Sequence, residues 1–258
     1  MEEIINDVSA GQSHDLTLTG ERTLPGIWHE NYWFRRHEAA YLAVGPYCRD
    51  ALVLEAGCGE GYGAALLAER HGARVLALDY DPATVDHVRR RYPRVPVLRG
   101  NVVALPLADA SVDVVVSLQV IEHLWDQPGF VRECARVLRR GGRLIVSTPN
   151  RLTFSPGSRS GDRPANPFHT REFAPDELAG LLAPHVEVER LLGVHHGPRL
   201  AAWEAAHGSI VAAQLAAPVP EWPAELRAQV ATVAAEDFEL RADGLADSLD
   251  LLAVAVRR

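Results

Sequence analysis

A chain of 258 residues that is 47% hydrophobic and 23% charged can bury one substantial core, and its composition is not that of a disordered segment. A formal net charge of −8 argues against a non-specific nucleic-acid or anionic-membrane surface, and no apolar run approaches the ~20 residues that span a bilayer. Cys48, Cys58 and Cys134 are odd in number without metal-ligand spacing, and residues 1–7 are acidic, so a cytoplasmic protein is expected.

Residues 1–20 carry little periodicity. Residues 27–44 mix aromatic and charged side chains in a helical pattern, with Trp28, Tyr32, Trp33 and Tyr41 among them. Strand and helix signals then alternate: strand 51–56, helix 62–71, strand 73–79, helix 82–92 and strand 95–100. They continue with strand 112–118, helix 127–139 and strand 142–148. The strand runs are rich in valine and leucine without polar alternation, as parallel strands buried on both faces require. Asp81 is placed to cap a helix opened by Pro82, and Asp126 stands in the same relation to Pro128. Arg89-Arg90-Arg91 falls at a helix C-terminus, where the dipole favours cations. Gly141-Gly142 reads as the stop of a helix ending at Arg140.

Beyond residue 150 the pattern changes to a short helix at 175–182, a strand at 186–192, and alanine-rich segments at 200–217 and 224–237. A last strand occupies 249–256. His195-His196, beside Gly197-Pro198, reads as a surface turn, with a place on a pocket wall as the other reading. One domain over 1–258 is expected, with an N-terminal segment (1–45), a cofactor core (46–150) and acceptor-side elements (151–258).

The chemistry starts where the first predicted strand meets glycine: Val53-Leu54-Glu55-Ala56-Gly57-Cys58-Gly59-Glu60-Gly61-Tyr62-Gly63. Glycines let backbone approach a ligand where a side chain would collide, and they allow a sharp strand-to-helix reversal. Cys58 fits there as a small apolar residue. Asp79, at the tip of the second predicted strand, can accept hydrogen bonds from ribose hydroxyls. Together they imply an adenosine-containing cofactor. Gly59-x-Gly61-x-x-Ala64 by itself would also permit NAD.

The longer pattern Glu55-x-Gly57-x-Gly59-x-Gly61 resembles motif I of the class I S-adenosylmethionine (SAM) methyltransferases. Leu105-Pro106-Leu107-Ala108-Asp109-Ala110-Ser111-Val112-Asp113 resembles that family's approach to its fourth strand, and Ser117-Leu118-Gln119-Val120-Ile121-Glu122-His123-Leu124 its following motif. The resemblance implies an α/β, Rossmann-like sheet of seven strands with helices on both faces. It also implies an N-terminal lid and a helical insertion before a last strand that runs antiparallel beside the sixth. It implies SAM as cofactor, held by Glu55, Gly57, Gly59, Gly61 and Asp79, with Asn101 near the adenine amine and Gln119 at the methyl-transfer edge. Gly20-Glu21-Arg22-Thr23-Leu24-Pro25-Gly26 resembles a segment folded over the cofactor, which puts Arg22 near the SAM carboxylate.

Neutral hydroxyls are poor nucleophiles, so a base, a divalent metal or proximity must help an O-methyl transfer. Some related enzymes hold Mg²⁺ with Glu-x-x-Glu-His and a later histidine. Here Glu122 and His123 match and His169 can be the later ligand, while Gln119 replaces the first acid and brings no charge. The same three residues are the catalytic candidates. A Glu-His pair at this place also occurs without metal, serving packing. Trp28, Trp33, Trp203 and Trp222 could stack on sugar rings or belong to the core. A narrower resemblance, to actinobacterial 1-O-methyltransferases of methylmannose polysaccharide synthesis, implies a small saccharide acceptor, the anomeric 1-OH of short 3-O-methylated mannosides. A homodimer is a further expectation, with no nucleic-acid or membrane partner. A quinone or other small aromatic acceptor, and a non-catalytic SAM-binding role, are the alternatives.

Overall fold

In a computed structural model, Leu16 and residues 23–258 are described, so Arg22 and most of the expected lid lie outside the described residues. The chain enters helix α1 (Asn31–Val44), then β1 (Leu52–Ala56), α2 (Tyr62–His71), β2 (Arg74–Asp79), α3 (Pro82–Arg91) and β3 (Val97–Arg99). β4 (Val112–Leu118), α4 (Gln127–Val137) and β5 (Leu138–Pro149) follow. The remainder comprises α5 (Arg151–Phe154), α6 (Pro175–Leu182), β6 (Glu187–His196), α7 (Pro198–His207), α8 (Ile210–Leu215), α9 (Ala224–Thr232), β7 (Phe238–Arg241) and β8 (Asp250–Val256).

One sheet runs in the order β3-β2-β1-β4-β5-β8-β6-β7. β1 to β5 are parallel, while β8 lies between β5 and β6 and is antiparallel to both. The antiparallel last strand is as expected, but there are eight strands rather than seven. The extra one, β7, pairs Phe238–Arg241 with His196–Gly193 at the sheet edge. Four residues with one apolar anchor, buried Phe238, carry too little pattern to read as a strand in isolation.

Local signals decide several element ends. Asp81 Oδ1 accepts from Ala83 N–H at 3.1 Å and Asp126 Oδ1 accepts from Gly129 N–H at 2.8 Å, the two caps expected. Gly141-Gly142 is a correction: α4 ends at Val137, and both glycines sit inside β5. Leu138 already pairs with Val112, and a Cβ on Gly142 would lie 2.8 Å from the Asp113 carbonyl oxygen. Gly142 is needed for close backbone approach and Gly141 for its φ of 75°, neither for stopping a helix. His195-His196 also differs from the surface-turn reading, since both belong to β6 and His195 is buried.

Apolar clusters cover both faces of the sheet, one centred on Val53, Val75, Val114 and Ile145, the other on Leu54, Leu78, Val115 and Phe130. A third joins Tyr32 and Ala39 of α1 to Leu200, Ile210, Trp222, Leu226 and Val230. α1 is thus packed on several sides, which is why Arg36 is buried on it. Arg36 makes a bidentate ion pair with Asp250 at the start of β8. No helix among the described residues is long and apolar enough to cross a membrane.

Candidate active site

The order of the parallel strands reverses between β1 and β4, which leaves a crevice outside their carboxyl ends. A cleft of about 730 Å³ occupies it, lined by Gly57, Gly59, Asp79, Asn101, Gln119 and His123 among others. The glycine loop is tied down on the β2 side, with Gly57 and Cys58 N–H groups donating to the Leu78 carbonyl at 2.8 and 3.0 Å. Gly57 (φ 84°) needs glycine twice over, because a Cβ there would also meet Val120 Cγ2 at 2.6 Å. At Gly59 a Cβ would meet nothing within 4 Å, so this backbone faces the open cleft, where a ligand can reach it. Gly61 stands behind, as the N-cap of α2.

Asp79 Oδ2 accepts from Gly59 N–H at 2.9 Å and Oδ1 from Asp81 N–H at 3.0 Å, so the same carboxylate shapes the loop and faces the cleft. Asn101 is exposed on the wall, its Oδ1 accepting from Val103 N–H at 3.0 Å. Glu55 lies one layer beneath the cleft. It is fully buried and accepts from Tyr41 O–H at 2.6 Å, and burial pushes its carboxyl up to about 8. It therefore braces the loop from behind.

Gln119 closes the far side with φ 57°, an uncommon backbone for a non-glycine residue and one that marks a held position. Its Nε2 donates to Ser147 Oγ at 3.2 Å. Immediately afterwards a 3₁₀ turn, Ile121–His123, projects Glu122 and His123. Their candidate ligand atoms and that of His169 lie within 4.8 Å of one another. The imidazole rings of His123 and His169 are 5.1 Å apart, edge to face.

Hydrogen bonds set the tautomers in this cluster. The Phe168 carbonyl, 3.1 Å from His123 Nδ1, can only accept, so Nδ1 carries the proton and Nε2 is the basic nitrogen. Nε2 stands 4.0 Å from Glu122 Oε1. Glu172 Oε1 is 2.9 Å from His169 Nδ1, and Asn166 Nδ2 is 3.1 Å from His169 Nε2. A carboxylate behind a histidine is a recurring support for metal ligands, because it orients the ring and strengthens its donor. Glu122 is buried, which pushes its carboxyl up to about 8. The buried Thr148 hydroxyl beside it works the other way and draws that carboxyl down. A divalent cation here would neutralise the acid, and would need His169 Nε2 to exchange its Asn166 contact for the ion.

A second cavity, of about 330 Å³, shares Thr23, His37, Gln119 and His123 with the cofactor cleft and is also lined by Glu122, His169, Trp33 and Phe154. Of the other expected aromatic platforms, Trp222 is buried against Trp28 and Trp203 stacks on His207. His37 escaped the sequence reading. It sits between the two cavities, 3.3 Å from Thr23 Oγ1, and burial holds it down to about 4, a neutral imidazole at physiological pH. Its signal was a charged run, Arg35-Arg36-His37-Glu38, inside an aromatic helix: polar groups on a helix that must bury most of its surface.

Residues 54–146 match a family model described as a methyltransferase domain. A protein of Mycobacterium tuberculosis called "Probable S-adenosylmethionine-dependent methyltransferase" is 58% identical over 251 residues, covering 94% of this chain and 90% of the relative. A protein of Mycolicibacterium smegmatis with the same description is 57% identical over 249 residues, with 94% and 95% covered. Among solved structures, a SAM-dependent methyltransferase of Thermotoga maritima superposes with a TM-score of 0.58 at 20% identity, covering 88% of this chain and 94% of that one. At that identity the likeness is one of fold.

Proposed function

Because this chain belongs to the class I SAM-dependent methyltransferases, we propose that it transfers the methyl group of SAM to a hydroxyl of a small saccharide. The observation that carries this reading is the placement of Glu122, His123 and His169 beside the boundary between the cofactor cleft and the 330 Å³ chamber. Methyl transfer is an in-line displacement whose leaving group, a neutral thioether, needs no proton. What has to be supplied is a reactive acceptor oxygen held on the sulfonium axis. His123 lines both cavities, and its Nε2 can take the hydroxyl proton as the C–O bond forms.

The chamber suits a sugar. It combines Glu30, Arg36, Asn166 and the histidines with the rings of Trp33 and Phe154, so hydroxyls and apolar ring faces both find partners. By the narrower resemblance, the acceptor is a short 3-O-methylated mannoside with a free anomeric hydroxyl. As an alternative to the base, Glu122, His123 and His169 would hold a divalent cation, the His123 Nε2 lone pair then being committed to the ion, which would lower the pKa of a coordinated hydroxyl. Mg²⁺ is the ion the resemblance implies, but two imidazoles with one carboxylate suit a borderline ion such as Zn²⁺ better.

The test is labelled-methyl transfer from SAM to a 3-O-methylated mannobiose, with Mg²⁺, Mn²⁺ or Zn²⁺ restored after EDTA and the product read by NMR. Product carrying the label at the anomeric oxygen is expected, and His123→Ala should lower kcat about 10²–10⁴-fold. Undiminished activity in EDTA would remove the metal. No transfer by protein whose melting temperature SAM raises would remove the saccharide.

A further inference from the structure

Glu60 stands inside the glycine loop, between Gly59 and Gly61, and methyl transfer itself makes no call on it. It borders the cofactor cleft, yet its side chain is only 2% exposed. Both of its carboxylate oxygens are taken up by one helix. Oε1 lies 2.8 Å from Nε2 of His87 in α3, and Oε2 accepts from Tyr92 O–H, just past the end of that helix, at 2.8 Å. A carboxylate only accepts, so His87 Nε2 carries the proton. We propose that Glu60 is a positioning residue for SAM: through His87 and Tyr92 it clamps the glycine loop to α3 and so holds the Gly59 peptide where the cofactor meets it. This role needs only SAM binding and is independent of the acceptor.

The loop needs outside support. Gly57, Gly59 and Gly61 have φ of 84°, 53° and 95°, and glycine carries more backbone freedom than any other residue. Around Gly59 a Cβ would meet nothing within 4 Å, so packing does not fix that peptide. Hydrogen bonds on its flanks have to do so. Asp79 supplies one, accepting from Gly59 N–H at 2.9 Å, and Glu60 supplies the next along the chain. The loop also lies close against α3. A Cβ on Gly61 would stand 2.8 Å from Val88 Cγ2 and 3.1 Å from Tyr92 Cδ2. His87, Val88 and Tyr92 therefore form a continuous backing to Glu60 and Gly61.

α3 is a firm anchor. Val85 and Val88 are buried in the same apolar cluster as Ala64 and Leu67 of α2, and Thr84 is fully buried. Asp81 caps the first turn, and its own N–H donates to Asp79 Oδ1 at 3.0 Å. One helix thus fixes the cleft-facing Asp79 at its start and the glycine loop near its end. Glu55, by contrast, braces the loop from α1 through Tyr41. Two buried acids hold the loop against two different helices. Removing either partner of Glu60 would leave a carboxylate oxygen unsatisfied in a nearly dry site, so the three side chains act as one unit.

The experiment measures SAM affinity of the full chain by calorimetry, well below the melting temperature of each variant. Glu60→Ala and His87→Leu should each weaken SAM about tenfold, because the ligand must then order a loop that the clamp had held ready. The double variant should bind no more weakly than either single, since the two residues act together. Glu60→Gln should stay within about twofold of the wild type, because its amide carbonyl still accepts from His87 and its N–H can donate to Tyr92 Oη. A lower melting temperature with unchanged SAM affinity in Glu60→Ala overturns the proposal and leaves a stability role alone. Glu60→Gln as weak as Glu60→Ala also overturns it, because SAM would then sense the charge and not the position. Additive losses in the double variant do the same. Should Glu60→Ala or His87→Leu fail to fold, Tyr92→Phe removes a single O–H from a half-buried ring. About a threefold loss of SAM affinity is expected there, and no loss overturns the clamp.

Discussion

Asp250→Ala should be among the most damaging single changes in the chain, although Asp250 has no part in the chemistry. Arg36 and Asp250 side chains are each 4% exposed, with Arg36 Nε 2.5 Å from Oδ2 and a second bond from the other guanidinium arm to Oδ1. The pair joins α1 to β8 across 214 positions. Removing the carboxylate leaves a guanidinium cation in an almost dry site, a situation that costs about 3–5 kcal/mol. That is a large share of the roughly 5–15 kcal/mol that keeps a domain folded. Replacing both partners by apolar residues of similar volume, Arg36→Met with Asp250→Leu, also removes the desolvation cost and should recover most of the loss. Equilibrium urea unfolding of the wild type, both singles and the double would measure the coupling, with unchanged m-values as the check on two-state behaviour. A loss below about 1 kcal/mol in Asp250→Ala would refute the claim that the charge is buried and dependent on its partner.

Gly57→Ala should weaken SAM binding more than it lowers stability. The φ of 84° costs an alanine roughly 1–2 kcal/mol, and its Cβ must displace Val120, which leads into Glu122 and His123. Unchanged SAM affinity by calorimetry would contradict this. The contribution of Glu55 and Glu122 to stability should fall as pH rises from about 4.5 to 8, because both, pushed up to about 8 by burial, hold protons in the folded chain that the unfolded chain has released. Below about 6.5 His37, held down to about 4, offsets part of that fall, so the net decline is steepest above it. The two glutamates' stabilisation is full below the unfolded carboxyl pKa and lost as pH passes the folded one, at up to ~1.4 kcal/mol per pH unit for each group. Glu55→Gln should flatten part of that decline in melting temperature between pH 5 and pH 8, and a slope as steep as the wild type's would count against a buried, protonated Glu55.

Much of the core was legible because its signals are local. The valine and leucine runs of β1, β2 and β4, the caps at Asp81 and Asp126, and the glycines that must bend between β1 and α2 state their conformations within a few residues. Glu122 and His123 were found through the family motif that follows β4, where they are adjacent, and His169 through the later histidine of the same resemblance. Gly141-Gly142 misled because glycine marks a helix end and a close backbone approach equally well, and only the Asp113 carbonyl decides between them. β7 and the full length of β6 were missed for a related reason: a short edge strand exists by virtue of its partner.

By itself, then, the sequence determined the order of the parallel strands and helices, the cofactor loop with Asp79, and the acid–histidine pair that follows β4. Tertiary structure alone decided that His169 comes to His123, that His37 stands between two cavities, that Arg36 meets Asp250, and that Glu60 meets His87. Propensity and hydrophobic period act over a turn or a strand. The other contacts are chosen by which groups burial forces to satisfy one another, and that depends on the whole packed chain.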